Sequence, residues 1–490
     1  MDAPSASAPA AASDRWPLWH RFAFRYLLLH YLLYALPRPF DALLGTLSGL
    51  CRWVATEFQQ PWLNEAPFRW AGKWAMELSK VEAKVWQPLT TWMDQHGLTP
   101  YEVIHQRTGS GDTGHDVARL LAIVAAALAG ALLWMLLQRG DRGHPRLGRW
   151  LHLMVRFDLA FWMFSYGFAK FYGGQFGDLS LMRLTQEIGD TTPMGMVGTF
   201  MQASKPYELF SGAGEVLGGL LLFHRATAAL GACVTIAVMT NVCALNWLCG
   251  VPVKLFSAHL LLYAVFLLAP FCGRLRALFL TNQPSAPVDL RVVRVRWAGW
   301  LLQLVGWSWV LGSLWLTHVQ GRGERPWMKG REKPSLYGVW LVDKMLLDGQ
   351  EVAATDVHRW RFLAIDRGTM VWARDVSGQR QFFDCTWDPA TGNAQVKPRV
   401  MAPATGTASA SAPASRPAET WTCTTGTKVV PVDVPLLIRN EDRGRKVDGT
   451  RRTLVVKGRL GGQDLELHTV EKVFRLQTGF RLRQELPDGW

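Results

Sequence analysis

The sequence predicts a mostly α-helical transmembrane bundle followed by a C-terminal antiparallel, β-barrel-like soluble domain. Three observations predict it. Long apolar runs dominate the chain up to about residue 319. Beyond residue 334 short segments alternate Val, Leu, Phe and Trp with charged and polar residues, the period of a half-buried strand. Much of the +14 net charge sits in short stretches between apolar runs: Arg139, Arg142, Arg146 and Arg149, then Arg225, then Arg274, Arg276, Arg291, Arg294 and Arg296. That distribution marks cytoplasmic loops of a membrane protein. A chain of 490 residues with 24 Trp and 23 Phe has room for two or three folding units.

Residues 1–14 are almost all Ala, Ser and Pro, a composition that builds no core and predicts a disordered N-terminus. The basic cluster that follows leads into an apolar segment ending at Pro37-Arg38-Pro39 with no small-residue cleavage site, so no cleavable signal peptide is expected. Residues 15–149 form an N-terminal membrane and amphipathic-helix region. Its first span is 22–36, carrying Arg25 and His30, and in 40–115 residues such as Leu43, Leu47, Leu50 and Val54 recur at the spacing of surface helices. Stronger spans follow at 117–137, 150–172, 207–223, 226–248, 255–271 and 297–318, which with the first makes about seven. Arg-rich loops after the second, fourth and sixth spans, with Arg15, Arg21 and Arg25, put the N-terminus in the cytoplasm and the C-terminal domain outside. For a bacterial inner membrane, outside is the periplasm.

Residues 334–490 read as the β-domain, with strands expected at 337–342, 360–365, 370–373, 381–386, 453–456, 465–467 and 480–482 and a flexible insertion at 402–418. Gly338-Val339-Trp340 in the first strand, with Arg481 and Arg483 in the last, is similar to the lipocalin arrangement, in which a Trp at the barrel base is covered by a late Arg. Such a barrel holds one apolar ligand or is filled by its own side chains.

The polar residues inside the spans point to a site. A charge at the bilayer centre costs roughly 2.5–3.5 kcal/mol on insertion scales, so Lys170, Glu208, Glu215, Asn241, Lys254 and His259 are expected to face a bundle interior. Tyr166 lies one turn inward of Lys170, and Glu208 and Glu215 share a face at i, i+7. At a rise of about 1.5 Å per residue, all fall in the outer half of the bundle, with Glu215 about 13 Å deep. The long 173–206 loop would form a lid over a periplasm-facing polar pocket. The same charges also suit an internal ion-pair network that fixes helix packing. Gly214 and Gly218 allow close helix approach beside Glu215. Arg156 and Asp158, nearer the cytoplasmic end, read as an inner ion pair or snorkelling side chains.

Other chemistry is excluded or left open. The loop Gly109-Ser110-Gly111-Asp112-Thr113-Gly114 lacks the Lys-Ser or Lys-Thr of a phosphate loop and reads as a turn in which Asp112 or Thr113 caps the next helix. No CxxC, HExxH, nucleophile elbow or Cys/His metal spacing occurs, so no metal site is expected. The basic residues accompany no nucleic-acid motif. A periplasmic location would allow a disulfide between Cys385 and Cys423, and two free thiols fit equally well. Cys243 and Cys249 near the end of a span read as packing residues, with a redox pair as the alternative.

FSYGFAKFYGGQF from Phe164, DTTPMGMVGTFMQASKPYELFSGAGEVLGGLLLFHR from Asp190 and TNVCALNWLCGVPVKLFSAHLLL from Thr240 together resemble the DoxX family of bacterial membrane proteins. The resemblance spans about residues 150–280. It implies a four-helix membrane core within a bundle domain at 150–320, with Tyr166, Lys170, Glu208, Glu215, Asn241 and Lys254 at the matching polar positions. It also implies a redox-associated subunit whose pocket takes a quinone-like or other small amphipathic molecule, with electrons supplied by a partner subunit, since no heme-ligand pair is visible. The resemblance fixes no single reaction. A non-enzymatic lipid- or apolar-ligand-handling protein, or a structural subunit of the membrane, remains the alternative.

Overall fold

The computed structural model describes residues 16–36, 38–59, 66–80, 82–105, 111–138, 140, 143–172, 174–292, 295–323, 333–367, 370–388, 393–399, 419–429 and 450–472. The N-terminal tail, the 402–418 insertion, Arg481, Arg483 and the strand expected at 480–482 lie outside these residues. The chain divides into a helical unit (1–176, 193–198 and 207–321) and a barrel unit (177–192, 199–206 and 322–490).

The chain forms α1 (Leu18–Ala35), α2 (Arg38–Glu57), α3 (Ala66–Ser79), α4 (Gln87–Gln95), α5 (Gly114–Leu137), α6 (Pro145–Phe171), α7 (Leu181–Leu184), α8 (Pro193–Ala203), α9 (Lys205–Phe223), α10 (Ala228–Leu248), α11 (Lys254–Leu268), α12 (Cys272–Arg276) and α13 (Arg296–Gly323). All seven expected apolar segments are helices. Only three among the described residues, Gly114–Leu137, Ala228–Leu248 and Lys254–Thr281, are long and apolar enough to cross a membrane. The expected seven spans are therefore corrected to three. Charges account for three of the four that drop out: α1 carries Arg21 and Arg25, α6 carries three arginines, an aspartate and a lysine, and α9 carries Lys205, Glu208 and Glu215; the expected 297–318 span has no such charge, and its Trp, Gly, Ser and Gln residues lower its hydropathy.

α6 supplies the centre of the helical core. Leu151, Val155, Leu159 and Met163 follow one another at four-residue spacing and are at most 2% exposed, so one stripe of this helix is sealed. Around it pack Leu222 and Phe223 of α9, Ala232 and Met239 of α10, Leu260 and Leu267 of α11, and Tyr31 of α1. The fully buried Arg25 of α1 meets soft and neutral partners near the end of α5, Met135 Sδ at 2.7 Å, Gln138 Oε1 at 3.0 Å and the Trp134 ring at 5.2 Å, while its Nε has no acceptor.

The glycine-rich loop before α5 caps two helices at once. Thr113 and Asp116 make a reciprocal capping box at the start of α5. The neighbouring Asp112 turns the other way: its Oδ2 accepts from the Lys254 amide at 2.7 Å and its Oδ1 from the Leu255 amide at 2.9 Å, at the start of α11. Gly111 N–H also donates to Pro252 O at 2.8 Å.

The barrel unit contains β1 (Gly338–Leu347), β2 (Gln350–Glu351), β3 (Trp360–Ile365), β4 (Met370–Asp375), β5 (Arg380–Asp388), β6 (Asn393–Arg399), β7 (Glu419–Val429), β8 (Thr450–Leu460) and β9 (Gln463–Lys472). Neighbours pair antiparallel from β1 through β3 to β9, and β1 pairs with β9, so eight strands close a barrel while β2 extends a hairpin from β1. Two-residue turns set the register at both ends of this closure: Asp348-Gly349 and Gly461-Gly462 all have positive φ, the geometry required of tight hairpins.

Trp360, Phe383 and Trp421 meet inside the barrel with ring centroids 5.4–6.2 Å apart. Trp421 also borders a cavity of about 30 Å3 with Leu363, Cys385 and Cys423. Among the described residues this part of the interior is occupied mainly by apolar and aromatic side chains. Trp340 donates its indole N–H to Leu336 O at 2.9 Å, and Arg452 of β8 lies 5.2 Å over its ring while donating to Ser335 O and Tyr337 O. Arg452 thus performs, among the described residues, the covering role that the sequence suggested for a later arginine.

The 173–206 loop was expected to lid the helical pocket. Its residues 177–192 and 199–206 instead belong to the barrel unit. Leu181 of α7 is fully buried with Val339, Phe362, Ala364 and Trp372 on the outer face of β1, β3 and β4. Arg374 holds Glu187 at 3.2 Å and Arg367 holds Asp178 at 2.6 Å. An apolar segment finds an apolar sheet face there, and the ion pairs frame it.

Candidate functional site

The polar centre of the helical unit depends on how closely α6 and α9 approach. A Cβ on Gly167 would fall 2.8 Å from Gly212 O, and one on Gly212 would fall 2.8 Å from Gly167 O, so only glycine fits at either position. The expected pair Gly214 and Gly218 serves a different contact, against Val238 and Thr235 of α10. Packing is their role. The tight crossing brings Lys170 against Glu215: the ammonium donates to Oε1 at 2.7 Å and Oε2 at 2.6 Å, with the residues 4% and 2% exposed. Glu208, on the same face two turns earlier, is fully buried. These three expected site residues share the α6–α9 region.

The other expected residues sit elsewhere in the helical unit. Lys254 lies 3.6 Å from Asp112, with 29% of its side chain exposed. Tyr166 is half-buried in an aromatic cluster with Trp162 and Phe256, its centroid 6.1 and 6.2 Å from theirs. Asn241 is exposed, which corrects its placement in the pocket. The buried stripe of α10 runs through Gly231, Thr235, Met239 and Asn246, and a residue two positions after Met239 points away from it.

His259, itself an expected site residue, meets partners on α1 that sequence reasoning did not connect with it. Its ring stacks on Tyr34 of α1 at 3.7 Å, and its Nε2 lies 3.2 Å from Nε2 of His30. Leu255 O, 2.7 Å from His259 Nδ1, accepts only from an N–H, so Nδ1 carries a proton, and in the neutral ring Nε2 is then an acceptor facing His30. His30 Nδ1 then faces the Tyr26 hydroxyl at 3.5 Å. A directional chain of polar groups thus runs from α1 to α11. Its signal in the sequence was the i, i+4 spacing of Tyr26, His30 and Tyr34, on a segment read only as a span.

Asp158 borders a cavity of about 10 Å3 with Tyr34, Trp162, Phe256 and Tyr263, room for about one water. Arg156 lines a different cavity with Arg225 and Arg291. The inner ion pair expected between Arg156 and Asp158 is therefore not formed, because residues two apart on a helix point to different sides.

In the barrel, Cys385 on β5 and Cys423 on β7 are free thiols that border the same small cavity, with β6 between their strands. Burial pushes Cys385 up to about 11 and Cys423 up to about 12, and the neighbouring Cys385 adds to the rise at Cys423. Both stay protonated and unreactive at neutral pH. Cys243 and Cys249 are free as well, with Cys243 Sγ 3.5 Å from Ser257 Oγ. Among the described residues no group of three or more His, Cys, Asp or Glu is placed to hold a metal ion.

No family profile matches the chain. No solved structure matches it either. A relative is found among curated proteins: the chain is 32% identical over 163 residues to the uncharacterized protein YwoB of Bacillus subtilis (strain 168), a match covering 33% of this chain and 100% of that protein. Identity at that level along the whole length of the relative places this chain in the same family as YwoB.

Proposed function

We propose that the chain is a DoxX-like, multi-pass protein of a bacterial inner membrane with its barrel on the periplasmic side. Its helical unit is a redox-associated subunit that acts on a quinone-like or other small amphipathic molecule. The observation that carries this reading is the Lys170–Glu215 pair. Withdrawing two charges from water costs several kcal/mol per ion, and well-packed apolar side chains would join α6 to α9 without that cost. An ionisable pair kept inside an apolar bundle is a functional-site hypothesis for that reason.

Reduction of a quinone to a hydroquinone takes up two electrons and two protons. In this reading a redox partner subunit supplies the electrons, Glu215 passes protons, and Lys170 holds Glu215 as a carboxylate between transfers. Lys254, partly exposed, binds a polar oxygen of the ligand, and the Trp162, Tyr166 and Phe256 rings face its apolar body.

The test is mass spectrometry of the organic extract from detergent-purified full-length protein, wild type beside a Lys170→Met, Glu215→Gln variant of matched melting temperature. Stoichiometric quinone in the wild type and its loss in the variant are expected. Quinone absent from both, or retained equally by both, overturns the reading.

A further inference from the structure

Arg156 precedes Lys170 by fourteen residues on α6, about 21 Å of helix, and the chemistry around it is of another kind. A cavity of about 70 Å3 is walled there by His152, Arg156 and Phe157 of α6, Arg225 of the α9–α10 turn, Arg291, and Gln303 of α13. A water's share of liquid is about 30 Å3, so the space admits a group larger than one water.

Three guanidiniums border this space, and the innermost is short of acceptors. Arg156 is 5% exposed, its guanidinium lies 5.2 Å from the centre of the Phe157 ring, and its buried Nε–H has no hydrogen-bond acceptor. The Arg225 charge acts on it with the same sign. Arg291 is paired with Asp289 at 3.2 Å, an exposed contact that leaves the cavity cationic. His152 adds no acid, since its Nε2–H donates to Leu267 O at 3.2 Å. A buried donor with no acceptor beside a like charge is unfavourable until an anion arrives. Guanidiniums recognise phosphate with paired, charge-assisted hydrogen bonds, and basic pockets between membrane helices collect phospholipid headgroups.

We propose that the Arg156–Arg225–Arg291 cavity is a phosphate-binding site that takes the phosphate of an anionic phospholipid headgroup or of a free phosphate compound. The site stands apart from the Lys170–Glu215 pair and needs no quinone. Arg156 supplies the deep contact, while the exposed Arg225 and Arg291 close on the anion from the rim.

The experiment is thermal unfolding of the full-length protein in detergent, titrated separately with phosphatidylglycerol, phosphatidylcholine and inorganic phosphate. Arg225→Gln and Arg291→Gln are the variants of choice, because exposed side chains are replaced without disturbing the core. Phosphatidylglycerol should raise the melting temperature, with half-saturation shifted about tenfold or more in either variant. Protection by phosphatidylglycerol alone identifies the source as lipid, and equal protection by inorganic phosphate identifies it as a free compound; both outcomes uphold the site. Equal protection by phosphatidylcholine, or half-saturation unchanged in both variants, overturns it.

Discussion

The Lys170–Glu215 contact behaves as a unit, because each charge is tolerable only in the presence of the other. Lys170→Met alone leaves a buried carboxylate unpaired and should cost about 3–5 kcal/mol. Adding Glu215→Gln should recover most of that loss. Thermal unfolding of both variants in detergent reads the difference, and a single variant no less stable than the double would show that the charges are uncoupled. The barrel thiols give a prediction of opposite character. Their values rise from 9.0 to about 11 and 12, so the folded state holds these protons more tightly than the unfolded one. Their contribution to stability is full below pH 9.0 and is lost as pH climbs through 11 and 12. Replacing Cys385 and Cys423 by Val should lessen that alkaline loss, and maleimide labelling of both thiols at pH 8 should lag far behind the rate in urea. Lys170, Glu208 and Glu215 were legible in the sequence because charge is rare in apolar runs and therefore conspicuous. Asn241 was misplaced because an amide inside an apolar run reveals depth and not which side of its helix is sealed. The link of His30 and Tyr34 to His259 escaped notice because His259 lies 229 residues beyond His30 in the chain.

Among the elements, the crossing of α6 and α9 is set by missing side chains. Gly212→Ala should push the helices apart and cost about 1–3 kcal/mol, since the new carbon meets a backbone carbonyl that cannot turn aside. Gly45→Ala in α2 meets nothing within 4 Å and is the matched control. It should be neutral or stabilising by about 1 kcal/mol, from helix propensity. Melting temperatures of the two variants check the contrast. Strand recognition failed for a related reason. β1, β3, β4 and β5 alternate large apolar side chains, which made them visible, whereas β6 carries Gln395, Lys397 and Pro398 and β7 is nearly half threonine. Those two strands exist because neighbours on both sides pair with them along the closed sheet, a circumstance no local pattern records.

For the whole molecule, two folding units of unlike type follow from one change of hydrophobic period near residue 334. The long loop before α8 broke that simple division by joining the barrel, since Leu181 and its neighbours match a sheet face that sequence spacing could not show. Among the described residues Arg452 ties the barrel's strands together at one end: it joins β8 to the backbone before β1 and covers Trp340. Arg452→Met should loosen both strands while leaving the rest of the sheet paired. Hydrogen exchange in the full-length protein should then speed up at β1 and β8, and exchange unchanged there would deny the residue this role. In the helical unit, adjacent residues Asp112 and Thr113 begin α11 and α5. Two helices that start from neighbouring atoms have their first turns side by side, so a bilayer that took up both would meet both N-termini on one face. Both then end in arginines, at 139–149 and 274–276. A single short loop thus acts as a parity device, under which reversing one helix by moving its charges would require reversing its distant companion as well.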